Sequence, residues 1–384
     1  MKRTLNLLES LGHHSAFLFG SRGVGKSFLI REQIASQAQV INLLQSKIYL
    51  NLRENPAQLQ EMLVGNLTVI DEIQRIPELL NEVHFAIEER KHQFLLTGSS
   101  ARKLKHRNAN LLAGRARILN LYPLTWNELV EDSKFSLEKY LRWGGLPEVL
   151  LKCSSDQERE DFLYAYVDTY LREEVEKESR IRNLPAFSRF LSSAGRASGE
   201  ILNFTSLAED AQVSPHTVRE YYHVLEDTLV GFQLPPWKKG LKRKSVSTSK
   251  FYFFDLGVTH TLKRIEHLER ASDLYGKAFE HFIAMELRAF ISYIKIRKEF
   301  TFWRSVHNHE VDFIIGNDVA IEVKSTKRVV ASDEEGLRKL KEEQKIKRLI
   351  LVSQDEISFT TREGIEHMHW QDFLKKLWSG KVLH

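Results

Sequence analysis

Cysteine is almost missing from this chain: Cys153 is the only one among 384 residues. An intrachain disulfide and a cysteine-built zinc site are therefore excluded, nothing points to an oxidising compartment, and Cys153 reads as a buried structural thiol. Long hydrophobic runs are missing too. No apolar stretch nears the ~18 residues of a membrane span, and the start, MKRTLNLLESLGHH, has two basic residues but no apolar h-region of ~7 residues and no small-residue cleavage site. The expectation is a cytoplasmic protein with no membrane partner. A strong charge imbalance is also lacking: the net charge of +5 and pI near 9.0 permit a polyanionic partner without requiring one.

What is present begins with length and core-forming capacity. A chain of 384 residues, 42% of them hydrophobic, suffices for two or three domains, each with its own core. The most informative stretch is Ser15 to Ile30, SAFLFGSRGVGKSFLI. An apolar strand, Ala16 to Phe19, runs into Gly20-Ser21-Arg22-Gly23-Val24-Gly25-Lys26-Ser27, which fits every fixed position of G-x-x-x-x-G-K-[ST], and Phe28 to Ile30 opens a helix. Glycine permits backbone angles closed to other residues, so successive N–H groups can turn inward around the α- and β-phosphates of a nucleotide at a helix N-terminus. Lys26 would then reach the β- and γ-phosphates, and the Ser27 hydroxyl would ligate Mg²⁺.

Further along, an apolar and β-leaning segment, Val40 to Leu52, precedes the strand Leu67 to Ile70, which ends in Asp71-Glu72. In that position Asp71 would hold the Mg²⁺ water shell and Glu72 would polarise an attacking water. A helix from about Pro77 to Arg90 and a strand from Gln93 to Leu96 follow, and Thr97 or Ser99 could sense the γ-phosphate, unless both are simply turn residues. On these residues the region Met1 to Glu131 resembles a compact AAA+ ATPase. The resemblance implies ATP and Mg as cofactors and a sensor at Thr97 or Ser99. Arg115, after the basic tract Arg102, Lys103, Lys105, His106 and Arg107, is the candidate arginine finger, acting in trans within a homo-oligomer such as a hexameric ring, or else a surface arginine before the strand Ile118 to Leu121. A sensor-2 arginine in a helical lid is not evident, which departs from the common pattern.

From Pro123 to about Ile201 the spacing is helical, including a long amphipathic stretch from Glu158 to Glu178. Phe204 to Phe232 has helix-turn-helix grammar: a short helix to Ala211, a turn with an N-cap at Val213-Ser214-Pro215, a second helix His216 to Asp227, then a strand like the first of a wing. Ser214, His216, Thr217, Arg219 and Glu220 would face outward. The next segment, Trp237 to Lys250, carries Lys238, Lys239, Lys242, Arg243, Lys244 and Lys250 with no acidic residue. Beside a winged helix such a loop would neutralise DNA phosphates by counterion release; the alternative is a solvated linker.

The C-terminal part holds a second constellation. Val311 to Ile315 and Val319 to Lys324 read as a hairpin across Gly316-Asn317-Asp318, and strand alternation puts Glu322 and Lys324 on one face with Asp312 nearby. Asp312 and Glu322, with Glu280 of the helix Gly276 to Phe290, would ligate Mg²⁺, and Lys324 would orient water. This resembles the PD-(D/E)XK nuclease core over Leu274 to Leu351, although valine precedes Asp312 and Glu286 competes with Glu280 for the helical position. The alternative is an ion pair on a fold without activity.

The expected architecture is α/β: a P-loop AAA+ core with a parallel sheet over 1–131, a helical and winged-helix middle over 132–250, and a restriction-endonuclease-like domain over 251–384. The whole resembles prokaryotic AAA+ ATPases of that composition. It implies Mg-dependent ATP hydrolysis coupled to DNA binding and remodelling or processing, with a metal-dependent nuclease-like domain; the alternative is a nucleotide-gated regulatory or scaffold ATPase whose last domain binds partners.

Overall fold

The computed structural model describes residues 1–100, 111–171, 181, 183–237, 248–305 and 307–383. Its first sheet joins β1 (Ser15–Phe19), β2 (Gln39–Asn42), β3 (Leu67–Asp71), β4 (Gln93–Gly98) and β5 (Ala116–Asn120) in the order β2-β3-β4-β1-β5, all parallel. Helices cover both faces of such a sheet, so its central strands are continuous apolar runs, and every residue of β1 is buried. Leu18 pairs with Thr97, Phe19 with Gly98, and Ile70 with Leu96. That register brings the carboxyl ends of β1, β3 and β4 to one edge, where open α/β sheets place ligands.

The segment from Val40 to Leu52 is extended only as far as Asn42, and a helix, Ser46–Glu54, takes over. The Asn42 carboxamide accepts the Leu44 N–H at 2.8 Å and turns the chain, and the helix then buries Leu52.

In the middle, the helices Leu184–Arg196, Phe204–Ala211 and Pro215–Asp227 pack together through Phe187, Phe190, Leu207, Val218, Tyr222 and Leu225. The Asn203 side chain accepts the Thr205 and Ser206 N–H groups, both at 3.2 Å, and Ser214 accepts Thr217 N–H at 3.1 Å, so each of the last two helices starts at its own cap. The tight turn between them is made by Gln212 at φ +56°. Strand β6 (Gly231–Leu234) then pairs antiparallel with β7 (Lys250–Phe253). Gly231 has to be glycine there: a Cβ would lie 2.2 Å from the Phe251 ring.

The second large sheet is mixed, with order β12-β13-β11-β10-β9-β8, from β8 (Phe300–Arg304), β9 (Glu310–Ile315), β10 (Val319–Lys324), β11 (Arg348–Ser353), β12 (Phe359–Thr360) and β13 (Ile365–His369). The expected hairpin is the antiparallel β9–β10 pair, turned at Gly316 with φ +59°. The helices Asp273–Tyr293 and Trp370–Trp378 bury this sheet through Phe279, Phe282, Phe313, Ile321, Ile350 and Phe373. Strand β7 crosses the boundary expected at residue 250: it pairs with β6 in the middle part, while Trp237, just after β6, donates its N–H to Phe302 O in β8 at 2.7 Å. Among the described residues no helix is long and apolar enough to cross a membrane.

His281 pins the helix Asp273–Tyr293 to β7, its Nε2 2.8 Å from Phe253 O. Burial pushes its pKa down to about 3, and likewise pushes His260 down to about 4. A depressed pKa means that the unfolded chain takes the proton first, so this stability is present above pH ~6.5 and lost as pH falls towards 3. Asp255 and Glu286, which burial pushes up to about 6 and about 8, act with the opposite sign as pH rises through those values. His281→Gln, whose amide can still donate to Phe253 O, should therefore flatten the acid limb. Urea unfolding at pH 7, 6 and 5 should show the wild type losing about 1 kcal/mol per pH unit more than the variant.

Candidate functional site

The loop after β1 is held tightly. A Cβ on Gly20 would stand 2.6 Å from Leu121 O, and Gly23 and Gly25 have φ +81° and +96°, values that favour glycine. Gly25 precedes the helix Lys26–Gln33, whose first amide groups have no partner within the helix and face the loop. Lys26 is buried, and its ammonium donates to Gly20 O at 2.6 Å and Ser21 O at 3.2 Å, inside the curl of the loop. The loop is tied from outside by three distant residues: Arg3 donates to Val24 O at 2.8 Å, the Tyr166 hydroxyl to Arg22 O at 2.9 Å, and Ser21 Oγ to Leu229 O at 2.6 Å. Burial works against the Arg3 charge, but Glu128, 3.0 Å away, keeps its pKa above the ordinary value. Sequence reasoning missed Arg3, which reads there as one of two leading basic residues.

The acidic pair meets this loop through β4. Thr97 Oγ1 donates to Asp71 Oδ1 and accepts the Glu72 N–H at 3.1 Å. Glu72 sits at φ +64°, ψ 44°, a left-handed conformation that costs a non-glycine residue about 1 kcal/mol and that aims its side chain out of the strand direction. Gln74 Nε2 donates to Glu72 Oε2 and to Ser99 Oγ, the latter at 3.1 Å. Both sensor candidates thus reach the acidic pair, Thr97 directly and Ser99 through Gln74. Gln74 was not anticipated. Its one signal is that it follows Glu72 by two residues in a short turn, beneath Gly98, where a Cβ would lie 2.8 Å from its Oε1. Ser27, exposed at the first helical turn, and Asp71 supply a hydroxyl and a carboxylate at the same edge, oxygen donors that suit Mg²⁺. The residues therefore fit Mg·nucleotide. Arg115 lies before β5 and pairs with Glu88, whose carboxyl it holds below its usual pKa; among the described residues it makes no bond to the loop.

At the C-terminal sheet the four expected side chains do come together, with additions. Lys324 donates to Glu322 Oε1 at 2.6 Å, and Asp312 Oδ2 accepts the Val323 N–H at 2.8 Å. Glu280 Oε1 accepts from Lys250 at 3.2 Å and from the Tyr252 hydroxyl at 2.5 Å. Glu286, the competing residue, accepts from Trp126 N–H at 2.7 Å and Trp378 Nε1 at 2.8 Å and belongs to the core. Lys250 was expected in a solvated basic loop; instead it is 3% exposed, 2.5 Å from Glu310 Oε1 and 4.0 Å from Asp312 Oδ1. Burial alone would pull its pKa down, but the carboxylates, Glu280 foremost, hold it well above the ordinary value. Burial and the repulsion of Glu322 and Glu280 push Asp312 well up. Glu310 was not anticipated; its one signal is that period two places it on the face of Asp312. Among the described residues no group of three His, Cys, Asp or Glu side chains could hold a metal ion as they stand. The carboxylates expected to take a metal are met by lysines instead, Glu322 by Lys324 at 2.6 Å and Asp312 by Lys250 at 4.0 Å.

Of the residues expected to face DNA, Ser214, His216 and Arg219 are exposed and Thr217 is half-buried. Ser214 and Thr217 hydroxyls bond each other at 2.9 Å within the helix cap, and the Arg219 guanidinium lies 4.6 Å over the Phe204 ring. Lys238, Lys239, Lys242, Arg243 and Lys244, and the basic tract at 102–107, lie outside the described residues.

Comparison with known proteins matches this architecture piecewise. Residues 13–130, which hold the parallel sheet, match the family described as an AAA domain. Residues 134–269 and 275–373 match two families described as domains of unknown function, DUF8612 and DUF4143. Uncharacterized proteins of Mycobacterium tuberculosis and Mycobacterium bovis are each 27% identical over 271 residues, 68% of this chain and 59% of theirs. An uncharacterized protein of Haemophilus influenzae is 21% identical over 57% of this chain and 56% of its own. The chain thus spans less than two thirds of the curated relatives it matches. Among solved structures, the Aeropyrum pernix ORC1 protein in complex with DNA aligns at TM-score 0.27 and 12% identity over 66% of this chain and 87% of its own. The ORC2 protein of the same organism in its ADP form aligns at 0.30 and 13% over 60% and 84%. At those scores no likeness of function follows.

Thr97→Val should leave nucleotide affinity within about threefold but lower kcat roughly 10- to 100-fold, because the hydroxyl that aligns Asp71 and Glu72 is lost. Steady-state phosphate release checks it; an unchanged kcat would show that Thr97 is a turn residue.

Proposed function

We propose that the chain is a Mg-dependent ATPase in which the state of the nucleotide is passed to a DNA-binding helix pair. The observation that carries this reading is that the loop holding Lys26 and the bonded set Asp71, Glu72 and Thr97 follow the carboxyl ends of neighbouring strands of one parallel sheet. On ATP binding Lys26 exchanges the carbonyls of Gly20 and Ser21 for the β- and γ-phosphates, and the loop amides hold the remaining phosphate oxygens. Glu72, steered by its left-handed backbone and by Gln74, orients the attacking water. Bound Mg²⁺ supplies neutralisation of phosphate charge, and Ser27 and Asp71 are the side chains that would hold it. Arg115, half-buried and paired with Glu88, is available to a neighbouring copy as an arginine finger in a homo-oligomer, for which a hexameric ring is the form to test first.

Coupling has a short route. Ser21 Oγ donates to Leu229 O and Ser100 Oγ to Asp227 O at 3.4 Å, so the loop and the end of β4 both hold the C-terminus of the helix Pro215–Asp227. That helix, its partner Phe204–Ala211 and the β6–β7 pair have the make-up of a winged helix, and His216 and Arg219 lie on the outward side of its first two turns. The second reading, a nucleotide-gated scaffold whose last domain binds partners without cleavage, is favoured by one observation, the lysine enclosed by carboxylates at the C-terminal sheet.

Glu72→Gln should keep ATP affinity and lose at least ~100-fold in hydrolysis, whereas Lys26→Ala should lose binding itself. Titration calorimetry and phosphate release separate the two; a Glu72→Gln enzyme as fast as wild type removes Glu72 from catalysis. Arg219→Ala should weaken binding to a DNA duplex several-fold and lower the salt slope by about one. Duplex binding that is absent at low salt, or indifferent to ADP and ATP, favours the scaffold.

A further inference from the structure

We propose that Lys250 is the permanent cation of the C-terminal carboxylate cluster, standing where a divalent ion would otherwise bridge Glu280, Glu310 and Asp312, so that this sheet neither takes up metal nor cleaves nucleic acid. The inference rests on the geometry of the cluster and not on the ATPase reading.

An ammonium has three N–H donors, and three carboxylates from two different elements converge on this one: Glu280 from the helix Asp273–Tyr293 at 3.2 Å, with Glu310 at 2.5 Å and Asp312 at 4.0 Å from β9. The underside is closed by the Phe302 ring, 5.5 Å from Nζ. Nor can the lysine swing away at little cost, because its backbone is part of a sheet. Lys250 pairs with Leu234, forms an isolated bridge with Ile201, and follows Ser249, whose carbonyl accepts the Leu202 N–H at 3.0 Å. Two residues on, Tyr252 projects to the same side and donates to the same oxygen of Glu280, which fixes that carboxylate towards the lysine.

A divalent ion entering this space would meet a buried positive charge 2.5 Å from Glu310, 3.2 Å from Glu280 and 4.0 Å from Asp312, the oxygens it needs. Lys324 in turn is drawn onto Glu322 at 2.6 Å, so the residue expected to activate water is engaged as a counter-charge. One buried acceptor of the cluster, Glu322 Oε2, has no hydrogen-bond partner among the described residues, so the carboxylate set exceeds what the two lysines satisfy. Removing Lys250 should therefore turn the cluster into a site for a hard divalent cation.

The test uses the full chain without nucleotide and Mn²⁺ as probe, read by electron paramagnetic resonance and by thermal unfolding. Wild type and Asp312→Asn should give the same Mn²⁺ titration, with no cluster-dependent uptake. Lys250→Ala should bind Mn²⁺ at least ~10-fold more tightly, its midpoint should rise by about 3 °C or more in millimolar Mn²⁺, and both effects should vanish in Lys250→Ala/Asp312→Asn. ATP hydrolysis by Lys250→Ala, unchanged, reports that the chain is folded; loss of ATPase activity in wild type itself would count against the ATPase reading and leave this one untouched. Uptake of Mn²⁺ by wild type that Asp312→Asn abolishes, or cleavage of a labelled DNA with the same dependence, overturns the proposal. So does a folded Lys250→Ala chain that gains no Mn²⁺ site. Should that variant fail to fold, the wild-type and Asp312→Asn titrations decide alone.

Discussion

The structure depends on how the carbonyls of the Gly20–Ser27 loop are held. Those of Gly20 and Ser21 take the Lys26 ammonium, and those of Arg22 and Val24 need partners from elsewhere if they are not to be stranded in a closed interior. Arg3 and Tyr166 meet this need by donating to Val24 O and Arg22 O, and Leu229 O holds the loop from a third direction by accepting from Ser21 Oγ. The loop proposed to take the nucleotide is thus held by the N-terminus, the helical middle and the two-helix unit together. A parallel sheet alone would leave the loop free to move without moving anything else. Here a shift at Val24, Arg22 or Ser21 is a shift in a hydrogen bond to another part of the chain.

Charge is handled by the same rule of local compensation. Arg3 is buried with Glu128, and Lys250 is buried against Glu280 and Glu310. Removing one member of a buried pair leaves an uncompensated charge that costs several kcal/mol, whereas the intact pair adds little over an apolar substitute. Such pairs make poor adhesive but strong constraint: they specify which surfaces face each other. The groups that stay neutral, His260 and His281, mark the places where the helices Leu256–Lys263 and Asp273–Tyr293 could be packed without a counter-ion.

What was legible in the sequence follows the range of the physics involved. Local signals were reliable. The loop from Gly20 to Ser27, the strand ending in Asp71, the cap at Ser214 and the hairpin through Gly316 depend on neighbours within a few residues, and each appears where spacing placed it to within a residue or two. The stretch after Asn42 was misread because its apolar residues suit either period, and a side-chain turn at Asn42 decided between them. Contacts set by tertiary structure were not legible. Nothing near Arg3 signals a carbonyl at Val24, and nothing near Lys250 signals Glu280 or Glu310; a lysine at the end of a basic tract reads as solvated until the sheet closes over it. Gln74 was hidden because its role depends on a glycine in another strand.

Strand β7 bears on how such a chain could be built or rebuilt. By backbone pairing it is part of the middle unit, while by the side chains of Lys250 and Tyr252 it is part of the last one. The final unit is therefore no interchangeable cassette. A recombination joint placed just after β7 would carry the ammonium away with one parent and leave the other a nest of mutually repelling acids, so the two units should be inherited together or else change hands only alongside compensating substitutions in the helix Asp273–Tyr293 and in β9.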